Sequence, residues 1–422
     1  MRFSRLHPVR YLPLFSSVLL VCISPFCFAR STPIEMPPNA TYAVPSRDRY
    51  PFSSDKGATA QSMVAYEVQA LQKLMREYKE LADNGGWAAW KVGKKLHQGD
   101  SDARIPALHQ LLTVTGDYQS ASGSAQNPLL YDATLATAVK HFQERHGLNA
   151  DGELGKSTQT ALAVPVEKRL AQIMATLERL HDASYAGEGK FILVNLPAYM
   201  LYGMEQGQPT LTMRVIIGNR QNHTPLFDKK VTDVVFNPPW SVPQRIARNE
   251  LIPKLRANPS YFINAGFVVT QDGVPVDPMT ANADSGDFSF RQRPGQKNAL
   301  GKIKFNIPDS DNIYLHSTAS PQLFAKEDRA LSHGCVRLEK PEQLAHFVLR
   351  GEQGWDEAKI DHTYASNVQR NVAVSEIPVH LVYWTAFVDE QGSAHFYDDV
   401  YNKNNAVIAR LKEREPITVA SK

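Results

Sequence analysis

Cysteine is scarce in this chain: three stand in 422 residues, and two of them, Cys22 and Cys27, share one apolar stretch near the N-terminus. A disulfide framework is therefore excluded. Net charge is scarce too. The 46 Lys and Arg face 43 Asp and Glu, a formal +3. The first 29 residues supply that excess through Arg2, Arg5 and Arg10 and contain no acid. The neutral remainder argues against nucleic acid as a partner. No apolar run outside Tyr11–Phe28 could cross a bilayer. No GxxxxGK[ST] phosphate loop exists, because Gly189-Lys190 and Gly301-Lys302 lack the upstream glycine and the hydroxyl. His141 and His146 have no cysteine or carboxylate partners at metal spacing. Asp309-Ser-Asp311 and Asn149–Gly152 lack the last ligand of a calcium loop. Neither metal nor cofactor is expected. What is present is a globular composition, 43% hydrophobic and 21% charged. At roughly 100–200 residues per domain, the length predicts two to four domains.

The N-terminus has the order of an export signal over residues 1–29: three arginines, an apolar stretch interrupted by Pro13 and Pro25, and the small-x-small site Cys27-Phe28-Ala29. Periplasmic location follows, at the inner membrane if the signal stays uncleaved. Residues 30–57, rich in Pro, Ser, Asn and Thr, read as a linker. Export removes Cys22 and Cys27 and leaves Cys335 alone. Such a thiol is either buried and inert or reactive for a reason.

The expected fold is a multidomain α+β protein. Helical spacing at Met63, Glu67, Leu71, Leu74, Tyr78 and Leu81, and again from Val166 to Leu180, predicts a helical scaffold over 58–98 and 164–186. Between them, 99–163 forms a small helical unit. Its first helix starts near Pro106, its second ends at Gly147, and Ser157 caps its third. From 187 to 400 the period changes to two, which predicts a β-rich domain. Within it, 242–298 combines a short helical piece with turn residues such as Asp272-Gly273 and reads as an inserted cap, a lid over the domain. Residues 401–422 are left as a C-terminal tail.

The chemistry concentrates in Tyr314-Leu-His316 and Ser332-His-Gly-Cys-Val-Arg337. A thiol needs a basic or cationic neighbour to ionise and an open approach for substrate. Gly334 lets the backbone turn tightly, so that N–H groups can point at an oxyanion. Bland alternatives exist for each residue. His316 at a strand end could be a structural hydrogen-bonding group, Arg337 could bridge Glu339, and Trp240 could be core packing.

Two resemblances follow. Tyr131-Asp132, Ala138–Gln143, His146-Gly-Leu148, Asp151-Gly152, Gly155 and Thr158–Leu162 resemble the three-helix peptidoglycan-binding domain of cell-wall enzymes. A bundle that merely props up its neighbour is the alternative there. The His316…Ser332-His-Gly-Cys335 pattern resembles the L,D-transpeptidases of the YkuD type, and the large YcbB-like subclass most. Asn195–Tyr202, Asn237–Pro243, Arg291–Gly295, Asn298–Gly301 and Lys304–Asn306 support it. His333 departs from that subclass, which often has another residue before Gly-Cys.

The resemblance implies a cysteine acyltransferase that forms 3→3 cross-links in peptidoglycan. Cys335 would be the nucleophile and His316 the base, held by a backbone carbonyl such as that of Ser317. His333 would shape the loop and polarise the thiolate, and the N–H groups of Gly334 and Cys335 would form the oxyanion hole. Arg337, Tyr314, Trp240, Ser332, Ser317, Arg291 and Arg293 would contact substrate. The implied partners are peptidoglycan stem peptides and glycan, with other cell-wall synthesis enzymes as candidates, and a monomer is expected. Carbapenems are the implied inhibitors. Water in place of the acceptor amine would instead make an L,D-carboxypeptidase or a cross-link hydrolase, and an inert β domain would leave a wall-binding protein.

Overall fold

Leu71, Leu74 and Tyr78 recur on one face of α1 (Ala60–Asp83) and are buried there. The computed structural model describes residues 60–118, 127–181, 183, 189–389 and 391–414. The expected signal and linker lie outside the described residues. No helix among them is long and apolar enough to cross a membrane.

Three helices follow as a unit: α2 (Ile105–Val114), α3 (Ala133–Arg145) and α4 (Lys156–Leu162). Ile105, Leu108, Leu135, Val139, Phe142 and Leu162 share one core with Trp90. Asp132 caps α3 by accepting Leu135 N–H at 2.8 Å. The N-cap of α4 is Gly155, without a side-chain bond, and Ser157 lies inside the helix. The expected Ser157 cap is thus displaced by two residues. α5 (Val166–His181) then packs on α1, and Trp87 Nε1 donates to Val164 O at 3.2 Å.

The β domain opens with β1 (Lys190–Asn195), β2 (Met200–Glu205), β3 (Gln208–Gly218) and β4 (Phe227–Phe236). The cap contributes β5 (Trp240–Ser241), β6 (Phe267–Gln271), β7 (Val274–Val276) and β8 (Phe288–Gln292). The main sheet resumes with β9 (Ile303–Asn306), β10 (Leu315–His316), β11 (Ala330–Ser332), β12 (Val336–Leu338) and β13 (Arg370–Val382). Its order is β11-β3-β12-β10-β9-β4-β13-β1-β2. β3 is long enough to pair with β2 through its first half and with β12 through its second. Eight strands therefore close into a barrel-like sheet, which removes most free edges. The barrel interior holds Val194, Val215, Phe236, Phe305, Leu315, Val336 and Phe347. The outer sides of β1 and β2 pack against α1 and α5 through Phe191, Leu193, Tyr202 and Met204.

The cap is more ordered than its sequence suggests. Its four strands pair as β5-β8-β6-β7. Asp272 and Gly273 both have positive φ, 52° and 82°, and make the tight hairpin turn between β6 and β7. Leu251, Leu255, Phe262, Val269, Phe288 and Phe290 form a separate core beneath them. At about 1.5–3 kcal/mol for each large apolar side chain buried, that core makes a folded subdomain rather than a loop. The helical piece runs from Gln244 to Ala257 and opens into a π-turn over Ala247–Leu251. Pro253 has no N–H to give to the Asn249 carbonyl, which accounts for the widened turn. The expected tail also contains structure: Asn404–Arg414 is a helix packed on α5, and Tyr401 is buried.

Candidate active site

Three short strands bring the chemistry together. β10 runs between β9 and β12, with His316 opposite Lys304 on one side and Arg337 on the other. Leu315, Phe305 and Val336 occupy the next row and turn into the barrel core. Because side chains alternate, Lys304, Tyr314, His316, Cys335 and Arg337 all fall on the opposite face. The rings of Tyr314 and His316 meet edge-on at 5.5 Å, and Lys304 Nζ sits 4.1 Å from the Tyr314 ring centroid.

Cys335 is the free cysteine of the described residues, and its Sγ lies 3.6 Å from Asn312 O. Burial pushes its pKa up. Hydrogen bonds from Tyr314 and the charges of Lys304 and Arg337 pull the other way. His316 is buried, and its pKa falls to about 3, through desolvation first and then the Arg337 charge. The resting pair is therefore a neutral thiol and a neutral imidazole. The carbonyls of Ser317 and Leu300 lie close enough to oppose the shift. Neither makes a hydrogen bond of ordinary geometry to Nδ1, which is buried without a partner. The expected Ser317 carbonyl anchor is thus near the ring but not bonded to it.

Ser332 and Ser317 organise backbone. Ser332 Oγ donates to Cys335 O at 2.6 Å and accepts Gly334 N–H at 3.1 Å. That second bond takes the Gly334 amide out of the expected oxyanion hole. The Cys335 N–H makes no hydrogen bond with the described residues. Ser317 Oγ donates to Leu300 O and accepts the N–H groups of Lys302 and Ile303. Both hydroxyls are buried and committed, which suits support rather than substrate contact.

Arg337 does not bridge Glu339. That carboxylate pairs with Arg214, and Arg337 Nε is buried beside Cys335 without a partner among the described residues. Tyr314 lies beside both Cys335 and Trp240, close enough for each to shift its phenol. Trp240 thus spans both expectations, packing on the Phe267 ring of the cap while reaching the site. His333 is exposed and turned to the cap, with Nε2 2.6 Å from Glu250 Oε1. Polarising the thiolate is not what that contact serves. Arg291 and Arg293 lie exposed on and just after β8, and neither side chain meets an acid among the described residues.

Two participants were missed. Lys304 was visible as the polar member of Ile303-Lys-Phe305, a strand whose other face is core. Glu250 gave no sequence signal, because its partner is 83 residues away. A 70 Å³ cavity between the helical unit and the β domain, lined by Arg145, Asn149, Arg214 and His395, lies away from this chemistry.

Residues 189–360 match the family model "L,D-transpeptidase catalytic domain" of the YkuD family, and residues 102–162 match "Putative peptidoglycan binding domain". A Haemophilus influenzae protein named "Putative L,D-transpeptidase" is 38% identical over 221 residues, 51% of this chain and 45% of that one. The chain thus spans less than half the length of that relative. Among solved structures, an L,D-transpeptidase from Stackebrandtia nassauensis is 14% identical, covers 70% of this chain and 96% of its own, and superposes with a TM-score of 0.28. L,D-transpeptidase 3 from Mycobacterium tuberculosis is 14% identical over 46% of this chain and 62% of its own, with a TM-score of 0.23. Residues 189–360 thus form a domain of the YkuD L,D-transpeptidase type, preceded at 102–162 by a domain of the peptidoglycan-binding type.

Proposed function

We propose that this protein is an exported transpeptidase that makes 3→3 cross-links in peptidoglycan through an acyl-enzyme on Cys335. The observation that carries the reading is the shared sheet face. The single described cysteine stands with a buried histidine, a tyrosine and two cations on three adjacent strands and the residues leading into them.

Cys335 gives its proton to His316, and the thiolate adds to the carbonyl of the third residue of a tetrapeptide stem, whose amide nitrogen belongs to the terminal D-Ala. The tetrahedral oxyanion is held by the Cys335 N–H. Collapse breaks the amide, and the imidazolium protonates the departing D-Ala amine. The side-chain amine of a neighbouring stem then attacks the thioester, loses its proton to His316, and leaves as the cross-linked product with the thiol restored. Arg337 supplies a fixed cation for a stem carboxylate. The domain at 102–162 would hold the wall polymer nearby, and periplasmic export would supply both.

Mass spectrometry of products from purified tetrapeptide muropeptides tests this. A cross-linked dimer is expected. A tripeptide alone would make the protein a hydrolase on the same site, and unchanged substrate would leave a wall-binding protein.

A further inference from the structure

The loop after β3 reaches the catalytic loop through one buried hydroxyl. Thr224 is fully buried. Its Oγ1 accepts Gly218 N–H at 2.8 Å and donates to Gly334 O at 2.7 Å. The approach is close enough to require glycine at 218, where a Cβ would come within 2.7 Å of Thr224 N. Thr224 N–H donates to Tyr401 Oη at 3.2 Å, and Tyr401 Oη donates to Gly218 O at 2.6 Å. Tyr401 is itself fixed: its N–H donates to Tyr383 Oη at 2.8 Å, and Tyr383 Oη donates to Asp399 at 2.6 Å. The Thr224 hydroxyl therefore has its donor and an acceptor position committed, in a setting that cannot rotate away.

A peptide unit is planar and trans, so its C=O and N–H point in opposite directions. Gly334 C=O and Cys335 N–H belong to one such unit. Anchoring the carbonyl on Thr224 fixes the amide on the far side. The amides on either side are occupied, Gly334 N–H by Ser332 Oγ and Val336 N–H by Tyr314 O, whereas Cys335 N–H is unengaged among the described residues. Gly334 has φ +123°, and without a Cβ it offers little resistance to rotation of this peptide. The orientation therefore needs an external anchor.

We propose that Thr224 is a positioning residue for acyl transfer: its hydroxyl holds the Gly334 carbonyl so that the Cys335 N–H faces the oxygen of the acyl group under attack. The inference rests on the nucleophilic reading of Cys335 and adds what aims its oxyanion donor.

The test compares two reagents on wild type, Thr224→Val, Thr224→Ser and Tyr401→Phe. With p-nitrophenyl acetate the thiolate adds to the carbonyl, an oxyanion forms, p-nitrophenolate leaves and Cys335 carries an acetyl thioester. Iodoacetamide alkylates the same sulfur by displacing iodide, with no oxyanion. Thr224→Val should slow acylation roughly tenfold or more, with alkylation within about twofold. Thr224→Ser should restore acylation. Tyr401→Phe removes the brace behind Thr224 and should show the same split more weakly, which decides the matter if the valine variant does not fold. Equal losses with both reagents, unchanged acylation in Thr224→Val, or a wild type that is alkylated but never acylated would each overturn the proposal. Normal ester behaviour without muropeptide turnover would sink the wall substrate and leave Thr224 in place.

Discussion

The floor of the site and the cap beside it are built in opposite ways. The floor is one face of three paired strands, and its loops are tied by buried hydroxyls: Thr224, Ser332, Ser317 and Tyr401. The cap folds around its own core. It meets the floor through the exposed Glu250–His333 pair, an Arg245–Asn222 hydrogen bond and the Trp240–Tyr314 contact. A buried hydrogen-bonded group is expensive to move, whereas an exposed ion pair contributes about 0.2–1 kcal/mol. The floor is thus suited to fixing reacting atoms, and the cap to controlling what reaches them.

The largest effect should come from the floor itself. Cys335→Ala removes the nucleophile and should abolish turnover of muropeptides while circular dichroism and the melting temperature stay near wild type. Retained turnover would sink the mechanism. A large loss of thermal stability would instead make Cys335 a structural residue.

His316→Ala should come next, lowering acylation by roughly a hundredfold or more. His333→Ala should cost less, since that ring faces the cap. The larger loss at His333 would reverse the two roles. The pH dependence follows from the shifts. With its pKa near 3 against an ordinary 6.5, His316 stays a neutral base throughout that interval. Its unfolded form binds a proton that the folded form refuses, so stability should fall as pH drops from about 6.5 towards 3. The thiol is raised, so wild-type alkylation should keep increasing with pH through 8 and 9. A flat rate from pH 6 to 8 would indicate a preformed thiolate–imidazolium pair.

The floor was legible where its chemistry is local. The Ser-His-Gly-Cys run and the alternation through Tyr314, Leu315 and His316 stand in the sequence itself. Lys304 was half legible, because alternation in Ile303-Lys-Phe305 marks it as facing away from the core. Thr224 was not, since its partner Gly334 is 110 residues distant and only closure of the barrel brings them together. In the cap, Asp272-Gly273 was seen as a turn, but the flanking strands are three to five residues long and too short for a period-two pattern to register. The cap core is spread over two helical pieces and two separated strands, so no single window displays it.

Replacing 243–296 with a short Gly/Ser linker should leave the barrel folded, because its core shares no residue with that of the cap. Cross-linking should fall several-fold as Trp240 loses its partner strand β8. Hydrolysis should rise relative to transpeptidation, since a covered thioester is shielded from water. One muropeptide digest measures both products. An unchanged ratio at an unchanged rate would show that the cap takes no part in acceptor choice.

The smallest expected effect isolates the hinge between the two regions. Glu250→Gln keeps the shape of the side chain and removes its charge, and neither Glu250 nor the cap helix carrying it belongs to the reacting set. The pair is 2.6 Å long, but its side chains are 50% and 40% exposed, so the contact should be worth no more than about 1 kcal/mol. A cap held partly by this contact should therefore spend more time away from the loop, and the ratio of hydrolysis to transpeptidation should rise by up to about fivefold. Where the His333 ring carries a proton, added salt should reproduce that shift in the wild type, because solvent-exposed ion pairs weaken as ionic strength rises. The variant should respond less to the same salt. If salt moves both proteins equally, the Glu250–His333 contact does not hold the cap, and the tether must run through Arg245 and Asn222 or through Trp240 and Tyr314.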